Sequence, residues 1–306
     1  MAAAIAAGIT VLLWASAFVG IRSAGRAFGP GELSLARLLV ATAALFAIGW
    51  ARGERWPSRI PWRPLLVCGV LWFGAYNLAL NAGERRVDAG TAAMLVNVGP
   101  VLIAVLAGVL LGEGFPRSLF TGCVVAFAGV AVIAVASSSH AATTTGVLLC
   151  LAAALAYAGG VVGQKLVLRD LTGTQMILGC CVIGALVCLP WIGGLVHQLG
   201  GAPGGSIGWL VYLGLGPTAL GFSTWAFALR RTDAGRLAAT TYLVPPLSVL
   251  LGWLWLGETP AKLAYVGGAL CLAGVAISRR TRASSSSSRS EAPRASAHAT
   301  AAALEE

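Results

Sequence analysis

The 306-residue chain is 58% hydrophobic and only 10% charged, against roughly 45–50% and about 25% in a soluble domain, and its mean hydropathy is +0.83. At about 20 apolar residues per crossing of a ~30 Å hydrocarbon layer, about ten spans and their short loops use up the length, which excludes a soluble catalytic domain. The net charge of +10 does not indicate nucleic acid, because the basic residues lie between apolar runs and in one tail.

Apolar runs cover residues 4–22, 32–51, 64–83, 89–112, 117–136, 145–168, 174–196, 207–229, 234–256 and 261–278. The first lacks the basic stretch that precedes a signal-peptide core, so it is read as a spanning helix. Gly29-Pro30-Gly31, the proline-rich 57–64, Ser137-Ser138-Ser139, the glycine-rich 200–205 and Thr259-Pro260 separate the others. All ten are expected to be helices, since lipid offers no partner to exposed backbone. Trp50, Trp56, Trp62, Trp191 and Trp209 stand at span ends, as in an interfacial aromatic belt. After Ile277 come Arg279-Arg280-Thr281-Arg282, a serine run from Ser284 to Ser288 and a sparse tail. Residues 281–306 are therefore expected to be a disordered cytoplasmic tail, whose Ala301 to Glu305 end reads as a cloning remnant. All seven cysteines lie in apolar stretches without a C-x-x-C pair, and His140, His197 and His298 are far from them. They are read as small reduced core residues, with no metal and no cofactor expected.

Lys and Arg set the orientation. With the N-terminus inside, fifteen lie on the cytoplasmic side, among them Arg52, Arg55, Arg117, Lys165, Arg169, Arg230 and Arg231; only Arg22, Arg26, Arg85, Arg86 and Lys262 lie opposite. Both termini are thus expected in the cytoplasm, in a bacterial-type inner membrane.

The chain also repeats itself. Asp88-Ala89-Gly90 recurs as Asp233-Ala234-Gly235, and at the same offset of 145 residues Arg85-Arg86 meets Arg230-Arg231 and Pro100 meets Pro245. Leu111-Gly112-Glu113 meets Leu256-Gly257-Glu258, Gly122 meets Gly267, and Ala128-Gly129-Val130-Ala131 meets Ala273-Gly274-Val275-Ala276. At an offset of 143, Trp14-Ala15 aligns with Tyr157-Ala158 and Arg22 with Lys165. The expected architecture is an all-α polytopic membrane protein of ten spans, residues 1–138 and 139–280 being two five-helix repeats. Five is odd, so the second copy is expected to enter the membrane inverted, a hallmark of secondary transporters that bind near midplane between the repeats.

Leu13-Trp14-Ala15-Ser16-Ala17-Phe18-Val19, Leu35-Ala36-Arg37 and the twin Leu-Gly-Glu ends at Glu113 and Glu258 resemble the EamA family of the drug/metabolite transporter superfamily. The resemblance spans roughly residues 5–280 and extends to the YddG-type exporters of aromatic amino acids. It implies a ten-helix exporter with a central cavity lined from both repeats; it says least about the substrate, because the family exports many unrelated metabolites.

Read from the residues, Pro100 and Pro245 fall near the middle of two runs, where proline disrupts the preceding turn. Freed backbone at membrane depth is tolerated on packed protein or in a wet cavity, so both are candidate hinges. Beside them stand Asn97, Thr240, Thr241 and Tyr242. Other runs carry Trp14 and Ser16; Trp72, Tyr76 and Asn77; Tyr157 and Gln164; and Ser223, Thr224 and Trp225. The candidate cavity residues are Trp14, Ser16, Trp72, Tyr76, Asn77, Asn97, Tyr157, Gln164, Trp225, Thr241 and Tyr242. Polar residues among them also serve as interhelical glue, worth about 0.6 kcal/mol on average. Rings with amide and hydroxyl groups suit an amphipathic molecule of amino-acid size.

Only Arg37 falls clearly inside a run, where it is expected to snorkel or bind backbone carbonyls. Lys165, Glu113 and Glu258 lie near ends, the two glutamates as anchors. A cavity this poor in charge favours a neutral or zwitterionic substrate over the phosphate of a nucleotide-sugar, though a nucleotide-sugar or other metabolite or drug exporter remains the alternative within the superfamily. No P-loop occurs, Gly163-Gln164-Lys165 being only a superficial match. The expected mechanism is facilitated alternating access, with proton coupling through terminal carboxylates as the alternative. An enzyme is disfavoured: Gly221-Phe222-Ser223 lacks the final glycine of a nucleophile elbow, and Asp88, Asp170 and Asp233 lie in loops. A channel is harder to separate, because inverted repeats also build pores. The expected partners are a small-molecule substrate and the bilayer, with no nucleic acid and no obligatory protein partner. Gly122 with Ala126, and Gly267 with Cys271, give small-residue spacing for helix packing.

Overall fold

The computed structural model describes residues 1–110, 117–137, 141–229, 231 and 240–289. Among these residues all regular structure is helical. The helices are α1 (Ala2–Ala24), α2 (Pro30–Ala51), α3 (Trp62–Glu84), α4 (Ala89–Val96), α5 (Gly99–Leu110), α6 (Arg117–Ser137) and α7 (Ala141–Val167), then α8 (Gly173–Val187), α9 (Ile192–Gly201), α10 (Gly204–Leu213), α11 (Gly221–Leu229), α12 (Val244–Leu256) and α13 (Lys262–Arg289). Their exposed surface carries many large apolar side chains, such as Phe120, Val124 and Phe127 on α6 or Leu250, Trp253 and Leu254 on α12. Such a surface suits hydrocarbon and not water.

Four helices, Ala2–Ala24, Pro30–Ala51, Trp62–Glu84 and Thr144–Gln164, are each long and apolar enough to cross a bilayer. Gly173–Val187 and Leu189–Gly201 pass together as a pair bent by 57°. The other apolar helices are shorter, and prolines explain several breaks. Pro100 has no N–H to give, so the fourth apolar run divides at Asn97-Val98 and α5 starts afresh, Val101 N donating to Val98 O at 2.9 Å. Pro245 likewise lies in the first turn of α12, after a 3-10 turn at Thr241–Leu243. Both prolines therefore begin helices, where their fixed φ is favourable; the expected mid-helix position is corrected.

Two π-helical segments carry further irregularity. One, Gly69–Ala75, lies within α3; the other, Gly214–Leu220, joins α10 to α11. They are separated by the same 145 residues as the sequence repeat, and π-helix occupies well under 1% of residues in general. The paired motifs also have local structural roles. Asp88 caps α4, accepting from Thr91 N at 2.8 Å and Thr91 Oγ1 at 2.6 Å. Gly257 adopts φ +66°, the left-handed C-cap of α12 that a side chain would resist. Their partners Asp233 and Gly112, with Glu113, Arg230, Arg236 and His140, lie outside the described residues.

Antiparallel helices α6 and α13 form the tightest crossing. A Cβ on Gly129 would stand 2.5 Å from the Gly267 carbonyl oxygen, and one on Gly274 would stand 2.6 Å from that of Gly122. Between these contacts Cys271 Sγ reaches Ala126 O at 3.4 Å. Exchanging each residue for its partner 145 positions away maps this contact onto itself. Helix α13 continues to Arg289, into the segment expected to be disordered; extending a nucleated helix costs little, even through serines. Residues 290–306, the remainder of that tail, lie outside the described residues.

Candidate functional site

A cleft of about 750 Å³ of empty space, part of it open to the outside, lies between the two sequence halves. Helix α1 supplies Trp14, Ala17, Phe18 and Ile21, α2 supplies Arg37, and α3 supplies Trp72, Tyr76 and Leu80. Val96, Asn97 and Pro100 come from the break between α4 and α5. The second half adds Tyr157 of α7, Pro217 of the π-helical segment, Phe222 of α11, Thr241 and Val244.

Aromatic rings run continuously through this lining. Trp14 lies 5.4 Å from Phe222, Phe222 lies 5.0 Å from Trp72, and Trp72 lies 5.3 Å from Tyr157, between ring centroids. Tyr76 extends the series from Tyr157 at 6.2 Å. The tilted and edge-on arrangements are those that the ring quadrupole favours. Polar groups interrupt the apolar wall at few points. Asn97 is buried, and its Oδ1 has no hydrogen-bond donor among the described residues.

Arg37 neither snorkels nor binds a backbone carbonyl, which corrects the expectation for it and the expectation of a nearly uncharged cavity. It is only 6% exposed and lines the cleft, with Nε and Nη2 donating to Thr218 Oγ1 at 3.3 and 3.0 Å. Thr218 Oγ1 donates in turn to Leu213 O at 2.8 Å. That bond spans five residues, the spacing of the π-helical segment in which Thr218 lies.

The expected site residues divide. Trp14, Trp72, Tyr76, Asn97, Tyr157, Thr241 and Pro100 are brought together in the lining. Ser16, Asn77, Gln164, Trp225, Tyr242 and Pro245 are not. Ser16 Oγ bonds Leu13 O at 3.0 Å and Tyr212 Oη at 2.6 Å. Asn77 Nδ2 donates to Phe73 O at 2.7 Å, and Gln164 is buried on α7. Trp225 stacks behind Trp14 at 5.1 Å and packs on Ala6, Ala7 and Ala228. Tyr242 packs on Val101, Ala126 and Val275. Ser223 donates to Ala219 O, while Thr224 shares a 2.7 Å bond with Thr10, tying α11 to α1.

The sequence reading missed Phe222 and Pro217; the Pro-Thr pair inside an apolar run was the available signal. A second hollow adjoins the cleft at Ile21 and is formed by Arg22, Arg26, Glu84 and Glu258 among others. Arg22 joins the halves there, Nε donating to Glu258 Oε1 at 2.9 Å and Nη1 to Glu84 O at 2.6 Å. Glu258 thus makes an anchoring contact.

The profile of the EamA-like transporter family matches residues 1–135 and again 144–280. The chain belongs to this family of transporters. A probable terminal-alkyne amino-acid exporter of Streptantibioticus cattleyicolor is 40% identical over 274 residues, covering 89% of this chain and 92% of that protein. The aromatic amino acid exporter YddG of Ancylobacter novellus is 26% identical over 274 residues, covering 87% and 93%. A solved crystal structure matches with a TM-score of 0.63 at 24% identity, covering 90% of this chain and 96% of that one, a likeness of fold.

Proposed function

We propose that this chain is a secondary transporter exporting small neutral or zwitterionic metabolites, chiefly amino acids including aromatic ones, by alternating access through the cleft. The observation that carries the proposal is the cleft's composition: aromatic rings and isolated polar groups contributed by both sequence halves around one partly open space. Relatives named as amino-acid exporters point to the same substrate class.

The working architecture is ten spans as two inverted five-helix halves, with α4–α5, α8–α9 and α10–α11 each counted as one broken crossing. Duplication is supported by the equal spacing of the π-helical segments, and inversion by the antiparallel, self-mapping contact of α6 with α13. Broken crossings beside a midplane site are typical of transporters. Trp14, Trp72, Tyr76, Asn97, Tyr157 and Thr241 contact the substrate, while Pro100 and Pro245 mark the breaks about which the helices tilt. The protein works in a bacterial-type inner membrane with both termini cytoplasmic, needing a substrate and lipid but no cofactor. Transport is facilitated and driven by the substrate gradient.

Counterflow in proteoliposomes tests this reading. Internal unlabelled tryptophan or leucine should drive saturable uptake of its labelled form without a pH gradient. Non-saturable flux without counterflow would indicate a channel, and a requirement for a pH gradient would rule out facilitation.

A further inference from the structure

We propose that Arg37 is the carboxylate anchor of the cleft, so that the transported molecules carry a free carboxylate and the corresponding amines are excluded. This rests on the exporter reading above and adds a selection rule to it. A guanidinium has five N–H donors and is always charged, and burying such a cation without an anionic partner is expensive. Arg37 is 94% buried by its 6% exposure, yet its only hydrogen-bond acceptor among the described residues is the Thr218 hydroxyl. Nη1 makes no hydrogen bond there. Glu84 and Tyr76 are near enough to feel its charge, but the ion pair among the described residues is Arg22 with Glu258, not one of Arg37.

The arrangement around Thr218 fixes the guanidinium's direction. The hydroxyl proton is committed to Leu213 O, so its oxygen presents lone pairs to Nε and Nη2 and holds the group at the cleft wall. The remaining donors offer the planar fork that a carboxylate accepts. The same cleft contains the complement for the other end of an α-amino acid. Among the described residues Asn97 Oδ1 is an acceptor without a donor, and the lining rings of Trp72 and Tyr157 offer π-systems to an ammonium group. The ring series then receives the side chain. A purely structural tie between α2 and the π-helical segment would leave ligand selection unaffected.

The test uses the full chain in proteoliposomes, measuring counterflow of matched probes: tryptophan against tryptamine, and leucine against isoamylamine. The wild type should prefer each acid over its amine by about tenfold or more, as expected of a site built to bond the missing group. Arg37→Gln should bring that ratio towards one, and Arg37→Lys should restore part of it. Thr218→Val, which frees the guanidinium without removing it, should lower the ratio by a smaller factor. Equal transport of acids and amines by the wild type would overturn the proposal while leaving the exporter reading intact, and this result needs no variant to fold. An unchanged ratio in well-folded Arg37→Gln would also overturn it. If no probe shows counterflow, amino-acid export itself fails and the anchor falls with it.

Discussion

Two tryptophans of the cleft should behave differently when truncated, because their burial differs. Trp72 is 4% exposed and touches Phe73, Tyr157 and Phe222, so it is part of the core as well as the lining. Trp72→Ala should cost about 3–5 kcal/mol, as other large aromatic truncations do, and lower the Tm of the purified protein. Trp14 is half-buried and opens onto the cleft. Trp14→Ala should lower counterflow several-fold while leaving the Tm within a few degrees, consistent with a cost of about 1 kcal/mol. A large Tm loss with intact transport would make Trp14 a packing residue. The contrast also shows why residue type identifies only part of a site. Trp14, Tyr76 and Tyr157 are legible as amphipathic rings in apolar runs. Ser16 and Asn77 have the same character, yet they bond Tyr212 and the Phe73 carbonyl, because composition does not say which helix face meets the cleft. Phe222 is indistinguishable in sequence from a lipid-facing phenylalanine. Arg37 was visible but misread, since its direction depends on Thr218, 181 residues away.

At the scale of elements, Pro217 sets a helix irregularity against a function. Pro217→Ala supplies the N–H that lets the segment return to α-helical pairing, and removing an interior proline can gain up to about 3 kcal/mol in a helix. The Tm should hold or rise, whereas discrimination between tryptophan and tryptamine should fall as Thr218 loses its role. Retained discrimination would separate the π-helical segment from the selection of substrate. The crossing of α6 and α13 makes the opposite case. In Gly129→Ala the new Cβ would stand 2.5 Å from the Gly267 carbonyl oxygen, a backbone atom that cannot swing away, so a cost of about 1–3 kcal/mol is expected. Gly208→Ala meets nothing within 4 Å and should leave the Tm unchanged. Run length and hydropathy made the helices themselves legible. They did not show where a run divides, because a proline opening a helix and a proline within one are the same letter in the same apolar context. The π-helical turn at Gly69–Ala75 contains no proline at all, so no local signal marks it.

The whole molecule turns on whether its two halves face opposite ways. Identities at one offset made the duplication legible, and the odd number of apolar runs per copy made inversion the expected outcome. The structure adds a contact whose geometry is that of a two-fold axis: Gly122 meets Gly274, Gly129 meets Gly267, and the equivalent residues Ala126 and Cys271 meet each other between them. Self-complementary contacts of this kind are what a two-fold relation produces, and between antiparallel equivalent helices such an axis would lie across the bundle, as the proposed inversion requires. Loops at matching positions should then be accessible from opposite sides of the membrane. At the offset of 143, Arg26 after α1 corresponds to Arg169 after α7, and both side chains are exposed. With a membrane-impermeant maleimide applied to intact cells, Arg26→Cys should label at once and Arg169→Cys only after permeabilisation. Wild-type protein supplies the baseline, its free cysteines being buried except for the partly exposed Cys123. Labelling of both positions from one side would mean that the halves point alike. A symmetric rocking mechanism would then have no axis to rock about, and the cleft would have to open to its two sides by unrelated movements.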